Sequence, residues 1–252
     1  MQIGFGSGVL VGTPTFDLNG NAIAVPTPIQ FGVMQDVSVD MGFDLKELFG
    51  RYTSPIAIAQ GKTKITGKAK FAQLNGLMLN SMVFGATYTN LLVNEYIDAT
   101  GSVIPTTPFT VTPVIPGSGT WVNDSGVTTL TGRPLQRVVS APATGQYSVA
   151  AGVYTFASAD VGTTVLISFQ WTGTSTIAKK ITVPNRPMGP APQFRADLMI
   201  QYGSQQFVVT FGACATSKFS FGTKLDDFTI PELDFMVFAD ASNNIGYLSL
   251  AE

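Results

Sequence analysis

Two short stretches of alternating residues limit the fold of this chain more than anything else in it. Along Gln35–Asp44, Val37, Val39, Met41 and Phe43 fall on one parity, and Asp36, Ser38, Asp40 and Asp44 fall on the other. Along Lys62–Phe71, Ile65, Ala69 and Phe71 share a face, while Lys62, Lys64, Thr66, Lys68 and Lys70 share the opposite one. Side chains alternate across a strand, so each stretch predicts a strand with one dry face and one charged face. Antiparallel pairing sets the Asp stripe beside the Lys stripe, and opposite charges across a ladder support register by about 0.2–1 kcal/mol per pair. The next segment, Phe71–Val83, predicts a short helix. Leu74, Leu77, Met78 and Met82 lie near i, i+3, i+4 and i+8, an apolar stripe able to cover the hairpin's dry face.

Between the two strands, Leu45–Gly61 reads as a loop about three times longer than a tight hairpin turn needs. It carries Leu45, Leu48, Phe49, Tyr52 and Ile56 beside Lys46, Glu47 and Arg51. So much apolar surface on one loop is expected to be covered, and a partner subunit would serve.

Composition points the same way. Of 252 residues, 45% are hydrophobic and only 12% are charged, about half the usual charged share of a soluble domain. A surface so poor in charge is expected to be covered in part by partners. The net charge of −2 supplies no general field for holding nucleic acid. There is no histidine and a single cysteine. That removes Ser-His-Asp and Cys-His catalysis, histidine zinc sites, thiolate clusters and internal disulfides. Cys214, in the strand-like run Phe211–Ala215, reads as a buried inert thiol. Paired-carboxylate hydrolysis stays open in principle, with Asp226–Asp227 and Glu232/Asp234 as the acidic clusters around a Pro-containing turn. The opening residues show no secretion-signal pattern, and no apolar run approaches the roughly 20 residues of a membrane span.

In chain order, residues 1–30 are rich in Gly and turn residues and predict an arm or loop feeding the hairpin. Residues 31–86 and 181–252 form a β core, and residues 87–180 an inserted β lobe. Between Ala86 and Ala178 the only charged residues are Glu95, Asp98, Asp124, Arg133, Arg137 and Asp160. Short strands are expected at Phe109–Val114, Trp121–Val122, Leu135–Val139, Gln146–Val149, Val153–Phe156 and Thr163–Trp171, giving a sandwich-like lobe. Gly145–Phe156 reads as a hairpin. Val183–Pro192, with four prolines, is a crossover that no central strand can use. Strands resume at Phe194–Tyr202, Gln205–Phe211, Lys218–Gly222, Leu233–Ala239 and Ile245–Leu250. The chain is therefore expected to be mainly β with one short helix.

Several of these pieces, in this order, resemble the tail tube (major tail) proteins of long-tailed bacteriophages and prophages. They are Leu45–Pro55 (LKELFGRYTSP), Ala59–Ala72 (AQGKTKITGKAKFA) with the short helix and Phe84-Gly85, Met188–Phe194 (MGPAPQF), and the C-terminal Lys218–Phe221 (KFSF), Lys224–Phe228 (KLDDF), Pro231–Phe235 (PELDF) and Phe238–Asp240. The inserted Gly145–Phe156 and Val165–Phe169 also look like a segment common in such proteins. The resemblance implies a β-sandwich or barrel-like subunit with a flanking helix. Such subunits join sheets edge to edge into six-membered rings, which stack into a hollow virion tube carrying the genome. It implies no cofactor and no membrane. The implied partners are other copies of the chain, tape measure, tail terminator and baseplate proteins, and DNA that passes without tight binding. Assembly would take place in the host cytoplasm.

In that setting Leu45, Lys46, Glu47, Leu48, Phe49, Arg51 and Tyr52 are expected to dock on the ring above or below. Two readings of Asp36, Asp40, Asp44, Lys62, Lys64, Lys68 and Lys70 stay open. They line the bore or its ring-to-ring seams, or they form a solvated outer face stitched by weak pairs. A phosphate-binding lysine stripe is disfavoured by the Asp stripe beside it and by the lack of an aromatic platform. The inserted lobe is expected to face outward. The alternatives are another tail component of the same fold, a terminator or baseplate-proximal tube protein, or a glycan- or receptor-binding β-sandwich stacking sugars on Trp121, Trp171 or Tyr154.

Overall fold

A computed structural model describes residues 6–86, 88–175 and 177–250. The chain is mainly β, with 54% strand and 6% helix. It divides into two compact units, Met1–Thr87 with Ile181–Glu252, and Tyr88–Lys180.

The first unit holds eight strands: β1 (Val9–Phe16), β2 (Ile29–Gln30), β3 (Met34–Phe49), β4 (Pro55–Phe71), β5 (Gln193–Tyr202), β6 (Gln205–Ser220), β7 (Glu232–Phe238) and β8 (Gly246–Leu250). They form one antiparallel sheet in the order β2-β1-β5-β6-β7-β4-β3. The long β6 takes β8 along Phe207–Phe211 and β7 along Ala213–Ser220. The order has two ends and does not close on itself, so β3 presents an outer edge to which no described strand pairs.

Alternation decides the two faces. Phe194, Ala196 and Leu198 of β5, Leu233 and Phe235 of β7, and Ile65, Ala69 and Phe71 of β4 all point into one core. Within it Phe31 meets Phe71 edge-on with ring centroids 5.9 Å apart, and Phe194 meets Phe235 at the same distance. Cys214 is fully buried there, which pushes its thiol up to about 12.

A short helix, α1 (Gly76–Leu79), covers the core face and runs on as a wider π turn through Asn80–Phe84. It is shorter than the Phe71–Val83 expected. Asn75 sets its start, because its Oδ1 accepts from the Leu77 N–H at 2.9 Å and satisfies a donor with no partner inside the helix. Met78 and Met82 are fully buried, whereas Leu74 and Leu77 remain exposed. Thr216 Oγ1 of β6 donates to the Met82 carbonyl at 2.8 Å and ties the π turn to the sheet.

The expected N-terminal arm is not one. Val9–Phe16 pairs with β5 from Val9 opposite Met199 to Phe16 opposite Gln193, and Leu10 is buried. Leu10 offers the core a large apolar group, while Pro14 falls beside an irregularity in the ladder where a missing N–H is tolerated. The expected break between Phe211 and Lys218 is likewise absent, and β6 runs through it with a bulge between Thr216 and Lys218.

One glycine of the core is required for space. A Cβ on Gly67 would lie 2.1 Å from Cζ of the buried Phe235 ring. Gly67→Ala is therefore expected to lower the stability of the first unit by about 1–3 kcal/mol, read as an earlier transition in differential scanning calorimetry. An unchanged transition would mean that Phe235 has room to move aside.

In the inserted unit, Leu91–Tyr96, Thr164–Thr174, Thr120–Thr129 and Ser102–Val103 make one sheet, and Gln136–Arg137, Gln146–Ala150, Val153–Phe156 and Thr110–Val111 another. Val127, Val165, Ile167, Phe169 and Trp171 of the first share a core with Val111, Tyr147, Tyr154 and Phe156 of the second, as in a sandwich. The hairpin expected at Gly145–Phe156 pairs Tyr147 with Phe156 and Ala150 with Val153. Its turn residues Ala151 and Gly152 both have positive φ, 47° and 83°, the backbone a two-residue hairpin turn requires. Leu91–Tyr96 was not among the expected strands. It is seated by pairing with the long strand Thr164–Thr174, from Tyr96 opposite Phe169 to Leu91 opposite Thr174.

Candidate assembly surface

The β3–β4 hairpin is far longer than the sheet that carries it. Its last pairing with β7 is Ile65 opposite Val237, yet β3 and β4 stay paired onward to Phe49 opposite Pro55. The expected loop Leu45–Gly61 is therefore mostly strand, and only Gly50–Ser54 at the tip lies outside the ladder. The physical reason is a bulge. Phe43 faces Thr63 but Leu45 faces Gln60, so Lys62 and Gly61 together oppose Asp44. Past that point the simple alternation of β4 is lost, although the pairing continues.

Every residue from Asp40 to Phe49 and from Ile56 to Lys64 is exposed. Phe43, Leu45, Leu48, Phe49, Tyr52, Ile56 and Ile58 stand in solvent on this ribbon, Phe49 at 55% and Tyr52 at 79% exposure. A two-stranded ribbon has marginal stability in water by itself, and an apolar patch of this size marks an interaction surface. Lys46 Nζ reaches Asp44 Oδ2 at 2.8 Å. Glu47 pairs with Ile58 across the ladder, and Arg51 lies in the tip.

The charged residues gather on the sheet face opposite the core. Asp36 faces Lys70, Ser38 faces Lys68, Asp40 faces Thr66 and Gly42 faces Lys64. The pattern extends across β7 and β6, where Glu232 faces Lys70, Asp234 faces Lys68 and Lys218 faces Asp234. Acidic β3, basic β4, acidic β7 and the lysine of β6 thus alternate column by column. Lys70 Nζ lies 3.8 Å from Asp36, and Lys68 Nζ 2.7 Å from Glu232 Oε1. The hydrogen bond from Lys68 holds the Glu232 carboxyl below its ordinary range and raises the Lys68 ammonium in return. Glu232, one of the acidic candidates for hydrolysis, is occupied by this lysine, and Asp227 is paired with Lys224 at 3.3 Å. Among the described residues no group of three or more His, Cys, Asp or Glu side chains is placed to hold a metal ion.

The aromatic residues considered for sugar stacking lie inward. Tyr154 is fully buried and Trp171 is 8% exposed, while the half-buried Trp121 donates from Nε1 to Tyr154 Oη at 3.4 Å. Behind them the carboxylate of Asp124 accepts from Tyr147 Oη at 2.7 Å, Tyr154 Oη at 3.1 Å and the Gly126 N–H at 3.1 Å. Burial, and then the Asp124 carboxylate, push both phenols well above their usual range.

One surface was not marked by the sequence pattern. The loop Phe221–Pro231 between β6 and β7 holds Phe221, Leu225 and Phe228 in solvent. The available signal was three large apolar residues, Leu225, Phe228 and Ile230, inside a turn-like stretch bounded by Gly222 and Pro231. No described helix is long and apolar enough to cross a membrane. In comparisons with known proteins, no family model and no curated protein matches the chain.

Proposed function

We propose that this protein is a structural subunit that assembles with its own copies into stacked six-membered rings, forming the tail tube of a long-tailed bacteriophage or prophage. The observation that carries this reading is the free half of the β3–β4 hairpin, a paired ribbon with apolar side chains and no cover within its own unit. The resemblance of the ordered sequence pieces to tail tube proteins supplies the kind of assembly. The open outer edge of β3 supports sheet-to-sheet joining within a ring, since an edge this long is a template for another strand. Closure by rotation uses such an edge, and stacking of the closed rings gives a filament.

In this reading Asp36, Asp40, Asp44, Lys62, Lys64, Lys68 and Lys70 line the bore or its ring-to-ring seams. Their alternation with Glu232, Asp234 and Lys218 leaves little net positive charge to hold passing phosphates through counterion release. Tape measure, terminator and baseplate proteins are the partners at the tube's ends.

Negative-stain electron microscopy of the purified protein tests the proposal. Long uniform hollow filaments are the expected result. Isolated closed rings would replace it with a tail terminator, and monodisperse single copies at high concentration would overturn it.

A further inference from the structure

The two ends of the first unit's sheet carry different chemistry. At one end the β3–β4 ribbon projects past the last β7 pairing, Ile65 opposite Val237. At the other end, Ser220 faces Glu232, Glu232 faces Lys70, and Lys70 faces Asp36. The Phe221–Pro231 loop therefore leaves the sheet beside the start of β3, at the end away from the hairpin tip. In that loop Leu225 and Phe228 are 98% and 87% exposed. Asp226 and Asp227 outnumber Lys224, so the loop is net acidic. The free ribbon is net basic, with Lys46, Arg51, Lys62 and Lys64 against Asp44 and Glu47.

We infer that the hairpin tip and this loop are the two halves of one contact between copies. Leu48, Phe49 and Tyr52 of one copy seat on Leu225 and Phe228 of the next, with Asp226 and Asp227 facing Lys46 and Arg51. The occupant of each patch is a second copy of this chain, because both patches are apolar and exposed, they lie at opposite ends of one sheet, and the ribbon is net basic where the loop is net acidic. A loop-to-loop contact sets carboxylate beside carboxylate and is rejected by charge, and the placement of the two patches at opposite ends of the sheet favours the head-to-tail arrangement, with the Lys46–Asp44 pair of the tip shared with the incoming carboxylates. Each copy then has one tip and one loop to offer, and the contact repeats along the strand direction without closing. The inference rests on the tube reading and adds to it the surface that receives the hairpin.

Cross-linking tests it. Thr53→Cys and Thr223→Cys proteins, each exposed at the new thiol beside the apolar anchors and each retaining the buried Cys214, are mixed under conditions where the wild type assembles. They are then treated with a short bis-maleimide. The mixture is expected to give cross-linked dimer about tenfold above a mixture of Thr53→Cys with Val25→Cys, since thiols held in a stack see millimolar effective concentrations. As a second measurement, the double change Asp226→Lys with Asp227→Lys is expected to slow assembly, and adding Lys46→Asp with Arg51→Asp in the same chain to restore it. Filaments that form without the Thr53–Thr223 product overturn the inference and leave the tube reading standing. A wild type that forms neither filaments nor rings overturns both.

Discussion

Replacing Phe49 and Tyr52 together with Ser is expected to leave a soluble, folded subunit that no longer polymerises. Both side chains are exposed and lie beyond the last residue of β4 that pairs with β7, so the core loses nothing. Full burial of a large apolar side chain is worth about 1.5–3 kcal/mol. Losing two such groups from every contact weakens each contact by about 3–6 kcal/mol, and tenfold in affinity accompanies every 1.4 kcal/mol. The concentration needed for assembly should therefore rise by at least about a hundredfold. Sedimentation velocity on wild type and variant measures the shift, and circular dichroism confirms that both are folded. Wild-type filaments from the double variant would remove the hairpin from the assembly contact.

How far the sequence revealed this surface depends on where one-sided burial acts. Along Val37–Val39 and Ile65–Phe71 one face is pressed against the core, and the period-two pattern predicts antiparallel strands with the Asp stripe beside the Lys stripe, which the ladder realises as Asp36 opposite Lys70. In the inserted unit, Val165, Ile167, Phe169 and Trp171 alternate for the same reason and all four are buried. From Asp40 outward on β3 that pressure is absent. The ribbon is exposed on both faces, the bulge at Gly61–Lys62 shifts its parity, and a strand without a dry side reads as a loop. The N-terminal strand was hidden for a different reason. Gly12 and Pro14 lower the strand signal of Val9–Phe16, and only the tertiary partner, β5, overrides them. Gly212 had the same effect inside β6, where pairing with β5, β7 and β8 carries the strand through. The acidic cluster Asp226–Asp227 was visible as charge, but its apolar neighbours Leu225 and Phe228 acquire meaning only once the loop is placed at the end of the sheet away from the hairpin tip.

The second large effect is expected in the inserted unit, at Asp124. Its carboxylate is 3% exposed and receives two phenol hydroxyls and a backbone N–H. The guanidinium of Arg137 approaches to 3.5 Å but is itself half in solvent, so screening leaves it a minor share. Asp124→Ala leaves Tyr147 and Tyr154 with buried hydroxyls and without this acceptor, in a core where Tyr154 has no access to water. Leaving a buried hydroxyl without its acceptor costs about 1–3 kcal/mol for each of the two phenols. Tyr147→Phe removes one donor together with its need for a partner and is expected to cost about 1 kcal/mol. Both tryptophans of the chain, Trp121 and Trp171, lie in this unit, and Trp121 bonds directly to Tyr154. Tryptophan fluorescence in urea therefore follows the inserted unit alone. The midpoint of Asp124→Ala should fall well below that of the wild type, with Tyr147→Phe between them. Equal midpoints for all three proteins would show that the buried carboxylate contributes no net stability and that the sandwich is held by its apolar core.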